Sequence, residues 1–225
     1  MRLSWRWLRT SSLEIGNLLS SIKFVLIFEF WLSVYDGFSH PINLSSKNLK
    51  FESISLLEGR QAEEMNYNQK WTLYHHDPDN EDWSEESYKK IGTPASFEEM
   101  FGMMKEIGAK KFLEGMYFWM LDPYPPMWEN KMNKRGGSYS IKVHQEQGLE
   151  CFERYMAAAV MQLVSLDPEN LIVGVTISPK KGFNIIKLWN LQSLTFKQET
   201  DVRVLLPSLT YADIIYKPHV DQKMS

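Results

Sequence analysis

From residue 66 onward, short runs of alternating apolar and polar residues are interleaved with helix-length stretches. "QKWTLYHH" (69–76), "GMYFWML" (115–121) and "SYSIKVH" (138–144) read as strands. "LIVGVTIS" (171–178) and "FNIIKLWN" (183–190) form a hairpin across "PKKG", and "YADIIYK" (211–217) is a last strand. "ASFEEMFGMMKEI" (95–107) opens on a capping-box-like Ser96-Phe97-Glu98-Glu99, and its apolar residues recur at helical spacing. "LECFERYMAAAVMQLVSL" (149–166), ended by Asp167-Pro168, is the strongest helical pattern. "TFKQETDVRVLLPSL" (195–209) is predicted as a third helix. Strands interleaved with three helices, joined mainly by short turns, predict an α+β fold: an antiparallel β-sheet covered on one face by helices.

Residues 1–65 have a different character and are expected to be a poorly ordered or loosely packed N-terminal extension. The apolar run "FVLIFEFWLSVY" (24–35) contains Glu29, and it falls well short of the roughly 20 residues that a spanning helix needs. Arg2, Arg6 and Arg9 precede it, but the run starts late for a signal peptide and no small-residue cleavage site follows. Met65 stands just before the regular sequence, which makes it a candidate native start. No membrane association is expected, and the second domain is taken as 66–225.

Length and composition narrow the function. A chain of 225 residues suits one substantial domain. A net charge of −3 argues against non-specific coating of nucleic acid, which needs many neutralised phosphates. The single cysteine, Cys151, excludes an internal disulfide framework and fits a reducing, cytoplasmic setting. Eight tryptophans is an unusually high number, and two of them sit in polar surroundings: Trp83 in "DPDNEDWSEES" (77–87) and Trp128 in "PPMWENKMNKRGGSY" (125–139). An indole stacks on a flat ring, and the adjacent Glu129 can accept hydrogen bonds from that ring's edge. Lys131, Lys134 and Arg135 follow, so the block reads as a nucleotide site.

Residues 66–217 resemble the mRNA cap-binding family of eukaryotic translation initiation factor 4E. The landmarks are the "KWTLY" strand, a loop tryptophan about a dozen residues later, "PMWENKMNKRGG" (126–137) and a late "VGV…KLW" hairpin. The resemblance implies a cupped, curved antiparallel sheet with three helices on its convex back. It implies that Trp83 and Trp128 sandwich the base, that Trp189 touches the methyl-bearing edge, and that Lys180 holds phosphate. Ile185 stands where the family has a second phosphate lysine; Lys187, two positions on and so on the same strand face, is the substitute. Ser138 replaces a common basic residue, and the basic loop after His219 is expected to be short or missing. The implied partners are capped mRNA and a helical peptide of a scaffold initiation factor or regulatory binding protein on the convex face, contacted by Phe97, Phe101 and Ala157.

The physical chemistry supports a base sandwich on its own terms. A 7-methylguanine ring is cationic and ordinary guanine is not. Each aromatic stack is worth roughly 1–3 kcal/mol, with a cation–π gain of about 2 kcal/mol when water is excluded. Glu129 would accept from the ring N1–H and the exocyclic amine, at about 1.5–3 kcal/mol per charge-assisted bond.

Other classes fit less well. Asp77, Asp79 and Glu81 begin like a calcium loop, but Asp82 occupies the glycine position and Tyr88 the position of the bidentate glutamate. His75 and His76 point to opposite faces of a strand and cannot share a metal. No cluster of acidic metal ligands, no glycine-rich cofactor loop and no histidine partner for Cys151 is visible, so no catalytic residue, metal or cofactor is expected. A translational activator and a cap-binding repressor both remain open. Tyr74, where the main branch has tryptophan, marks the chain as divergent.

Overall fold

The computed structural model describes residues 69–220; the expected extension 1–65 lies outside them. Seven strands form one sheet: β1 (Trp71–His76), β2 (Lys89–Gly92), β3 (Met116–Leu121), β4 (Gly137–His144), β5 (Ile172–Lys180), β6 (Phe183–Asn190) and β7 (Ile214–Pro218). Their order is β2-β1-β3-β5-β6-β4-β7, and every neighbouring pair is antiparallel. Three helices accompany them: α1 (Phe97–Ile107), α2 (Ala109–Glu114) and α3 (Gln145–Val160). The expected class, a curved antiparallel sheet with three helices, is the observed one.

Side-chain alternation divides the sheet into two faces. On one, Leu73, Trp119, Val175, Leu188 and Tyr139 stand opposite one another across five strands, all fully buried. Tyr117, Ile177, Ile186, Ile141 and Ile214 form the next buried row. Helices cover this face. α3 packs over β4, β5 and β6 with Cys151, Phe152, Tyr155 and Met156 buried. α2 wedges Phe112 between Tyr117 and Phe152, at ring separations of 4.3 and 5.9 Å. The opposite face, called the open face because the helices lie on the other side, has Phe118, Thr176, Trp189 and Ser138 buried within it. It carries Phe118, Thr176, Lys187 and Ser140 in one row and Gly174, Trp189, Ser138 and Lys217 in the next.

Three local expectations need correction. The helix read at 149–166 runs instead from Gln145 to Val160. It ends in a Schellman wrap: Gln162 takes φ +55, Leu163 N–H donates to the Ala158 carbonyl and Gln162 N–H to that of Ala159. No helix forms over 195–209. Asp201 accepts from Lys197 N and Gln198 N, which tightens Glu199–Asp201 into a 3-10 turn. The chain then extends beside residues 164–166: Arg203 N donates to Val164 O, and Leu166 N to Asp201 O. Those inter-segment bonds replace the helical ladder. The third helix is α2, too short to show a period, and the polar edge strand β2 also went unread. Helix α1 matches its prediction: Ser96 Oγ accepts from Glu99 N at 3.2 Å, while the Glu99 carboxylate accepts from Ala95 N at 2.7 Å.

One acid of α3, Glu153, is half-buried. Burial, then the neighbouring Glu150, push the Glu153 carboxyl up to about 7 from 4.5. The adjacent Arg154 relieves it little, being bonded through Nε and Nη2 to Glu150 at 3.0 and 2.7 Å. The unfolded chain therefore ionises this carboxyl first, and stability falls as pH rises from about 4.5 to about 7. Glu153→Gln is expected to raise stability at pH 8 by on the order of 1–3 kcal/mol. At pH 4 it should change little. Urea unfolding at the two pH values checks this.

Candidate nucleotide-binding site

The open face is floored by aromatic rings that run continuously between the two loop tryptophans. Trp83 stacks on His76 at 4.2 Å with an interplanar angle of 5°. His76 meets Tyr88 at 4.9 Å, and Tyr88 meets Phe118 edge-on at 5.2 Å. Phe118 touches Trp189 at 6.4 Å, Trp189 touches His219 at 5.0 Å, and His219 reaches Trp128 at 6.4 Å. The two end members are the exposed ones: Trp83 at 47% and Trp128 at 44%, against 5% for Trp189. Trp189 Nε1 is buried and meets no acceptor among the described residues.

The loop carrying Trp83 is built by its polar side chains. Asp77, Asn80 and Asp82 each accept a backbone N–H two residues on, from Asp79, Asp82 and Ser84 respectively, at 2.8–3.0 Å. Of the oxygens that a calcium-loop reading would assign to a metal, Asp77 Oδ1 is used in one of these Asx turns. His76 anchors the loop from below, its Nε2–H donating to the Asp82 carbonyl at 2.8 Å. Trp83 therefore has one face covered by a buried ring and keeps the other free.

The loop carrying Trp128 and Glu129 is pinned by Asn133, which is buried. Asn133 Nδ2 donates to the carbonyls of Pro125 and Met127 at 2.6 and 2.8 Å. Its own carbonyl accepts from His219 Nδ1 at 2.8 Å, tying the end of β7 to the loop. The glycine pair that follows is a steric requirement. A Cβ on Gly136 would lie 2.1 Å from the Asn190 carbonyl oxygen, and one on Gly137 2.3 Å from the Tyr216 hydroxyl.

The electrostatics place Glu129 near the floor. Burial and the charge of Glu129 push the Tyr88 hydroxyl up to about 12. Burial holds the His219 imidazole below its usual value, with Glu129 and the Asn133 carbonyl opposing that shift and Lys187 adding to it. The Glu129 carboxylate is thus felt from both ends of the floor. Lys187 shares the open face with Ile185, as strand alternation predicts, while Lys180 stands exposed at the end of β5. Lys131, Lys134 and Arg135 are exposed on the loop itself.

The three residues expected to meet a helical partner differ in access. Phe97 and Ala157 are buried, at 7% and 3%, and Phe101 is half-buried.

His76, Tyr88, Phe118, Asn133 and His219 were missed as site residues in the sequence. Asn133 and the glycine pair lie inside the block 126–137, so that signal was present. The others needed the sheet register. Among the described residues no group of three or more His, Cys, Asp or Glu side chains is placed to hold a metal ion. Burial pushes the Cys151 thiol up to about 12, so it stays protonated at neutral pH. No helix among the described residues is long and apolar enough to cross a membrane.

Replacing Asn133 with alanine removes the two side-chain bonds that hold the loop, leaving the Met127 carbonyl with only the Asn130 N–H at 3.3 Å. The variant is expected to lose about 1–3 kcal/mol of stability. A lowered urea midpoint, with Trp128 fluorescence shifted to the red, is the observable pair.

Comparison with known proteins places the chain in a family. The sequence profile described as "Eukaryotic initiation factor 4E" matches residues 66–225. Eukaryotic translation initiation factor 4E of Eremothecium gossypii is 29% identical over 129 residues, covering 54% of this chain. The match spans 60% of that relative's length. A solved complex of C. elegans eIF4E-3 with the 4E-binding protein Mextli and cap analog shares the fold at a TM-score of 0.50. It is 20% identical and covers 57% of this chain and 75% of its own. Ascaris suum eIF4E-3 with m7G cap, also 20% identical, aligns at 0.49 over 58% of this chain and 75% of its own. With a family profile spanning more than half of its length, the chain belongs to the eukaryotic initiation factor 4E family.

Proposed function

We propose that residues 66–225 bind the 7-methylguanosine cap of mRNA and act in translation initiation. The observation that carries this reading is the pair of half-exposed indoles, Trp83 and Trp128, at the two ends of one aromatic floor. A flat cationic base between them gains stacking and cation–π attraction that a neutral guanine lacks in part. Glu129 accepts from the base edge, which selects guanine over adenine because adenine has no matching pair of donors. Trp189 faces the base's methylated side, and Lys180 and Lys187 take the phosphates.

The domain binds and releases without turnover, in the cytoplasm. Its second partner is an amphipathic helix on the convex side, of the kind carried by a scaffold factor or a regulatory binding protein. The C. elegans relative is known in complex with a 4E-binding protein. Here Phe101, the most accessible of the three expected contacts, carries most of that interaction, with Phe97 and Ala157 shaping the ground beneath it.

Tryptophan fluorescence quenching by 7-methyl-GTP against GTP tests the reading. The parent is expected to prefer 7-methyl-GTP by at least about 100-fold, the equivalent of some 3 kcal/mol. Trp83→Ala and Trp128→Ala should each abolish most of that preference, whereas Glu129→Ala should weaken the binding of both nucleotides. Equal quenching by the two nucleotides in the parent sinks the sandwich. Capped RNA incubated with the protein should be recovered unchanged.

A further inference from the structure

Among the lysines of the open face are two from one hairpin, Lys180 and Lys187, and one from the last strand, Lys217. Lys187 stands in mid-sheet on β6, opposite Thr176 on one side and Ser140 on the other. Lys180 is on the same face of β5, four residues beyond Thr176. Lys217 is on the same face of β7, opposite Ser138, which is itself opposite Trp189. The parity of β7 is fixed from behind. Tyr216 turns to the other face, where its hydroxyl donates to Asn190 Oδ1 at 3.0 Å and its ring stacks on Phe196 at 4.0 Å. Lys217 therefore cannot swing under the sheet.

Lys187 lies between the other two along the sheet and feels both. Burial first, then the charges of Lys180 and Lys217, hold Lys187 below the usual lysine value. Among the described residues the ion pairs are Lys110–Glu114, Arg154–Glu150 and Lys197–Asp167, and none reaches this cluster. Like charges that converge beside a partly buried member without a carboxylate between them raise the energy of the empty site. An anion seated among them lowers it, most of all a chain of phosphates that meets several heads at once. Adjacent strands lie about 4.8 Å apart, so β6 and β7, with β4 between them, are separated by roughly 10 Å. Lys217 is also offset from Lys187 by two residues, about 7 Å along the strands, which brings the separation to roughly 12 Å, within reach of two long lysine stems. Ser138, small and buried on the intervening strand, leaves the path between them clear.

We propose that Lys217 is a phosphate-binding residue, forming with Lys180 and Lys187 a three-lysine seat for the polyphosphate of the nucleotide whose base lies between Trp83 and Trp128. The identity of the ligand rests on the cap-binding reading; the seat itself rests on the sheet register. It supplies cationic character that Ile185 and Ser138 fail to provide.

The test is a quenching titration of the full chain and of Lys217→Met with 7-methyl-GTP and with 7-methylguanosine, at low and high salt. Loss of one charge-assisted phosphate contact is expected to weaken 7-methyl-GTP about tenfold. The salt dependence should become shallower, and 7-methylguanosine should bind as before. Lys110→Met, which removes an exposed lysine of α2, should alter neither ligand. Equal affinity of parent and Lys217→Met for 7-methyl-GTP overturns the proposal. So does an equal loss for nucleoside and nucleotide, which marks a structural defect. If the parent is quenched by neither ligand, it is the base-binding reading that has failed, and tripolyphosphate decides on the seat. A melting temperature raised more in the parent than in Lys217→Met supports it; equal rises refute it.

Discussion

The pairing register of β3, β5, β6 and β4 is the constraint on which the site depends. Phe118 stands opposite Thr176, Thr176 opposite Lys187, and Lys187 opposite Ser140. One residue along, Trp119, Val175, Leu188 and Tyr139 line up beneath the helices. A slip of a single residue exchanges the two sets. It would bury a lysine under α3 and turn Ile186 and Leu188 into water, at the cost of an uncompensated charge and of about 1.5–3 kcal/mol for each large apolar side chain exposed. The helix face is thus what holds the open face in place, and the functional floor inherits its rigidity from the core behind it.

On that floor the loops add exposure without looseness. An indole half in water normally collapses onto nearby apolar surface. Here each one is propped by a ring fixed from elsewhere, Trp83 by His76 and Trp128 by His219. The backbone around them is satisfied locally, through successive Asx turns on one side and Asn133 on the other. Preorganisation of this kind leaves little ordering for a ligand to impose, so more of the stacking energy appears as affinity. The glycine pair at 136–137 serves the same end, letting the loop return onto β4 against Asn190 and Tyr216.

Charge follows a similar division. The chain as a whole is acidic, at −3, yet its open face carries Lys180, Lys187 and Lys217, and none of the ion pairs among the described residues involves them. Local field, and not net charge, governs what such a face attracts. The convex side presents a different problem. Phe97 and Ala157 are buried in the interior, and Phe101 is half-buried.

Much of this was legible in the residues, and the divide is physical. Alternation in "KWTLY", "MYFWML" and "IIKLW" determined strands and their buried sides, because each strand must place its apolar set on one face whatever its partners. The block 126–137 determined the loop and its pair Trp128–Glu129, because that chemistry is contiguous in sequence. Segments whose local pattern is weak were decided by their neighbours: 195–209 gave up a helix because residues 164–166 offered hydrogen bonds, and α2 formed because the core needed Phe112. The meeting of His76 with Trp83, of His219 with Trp128, and of Lys217 with Lys187 depends on which strands lie side by side. A single sequence carries no local signal for that order, since it is the summed packing of all seven strands against three helices that selects it.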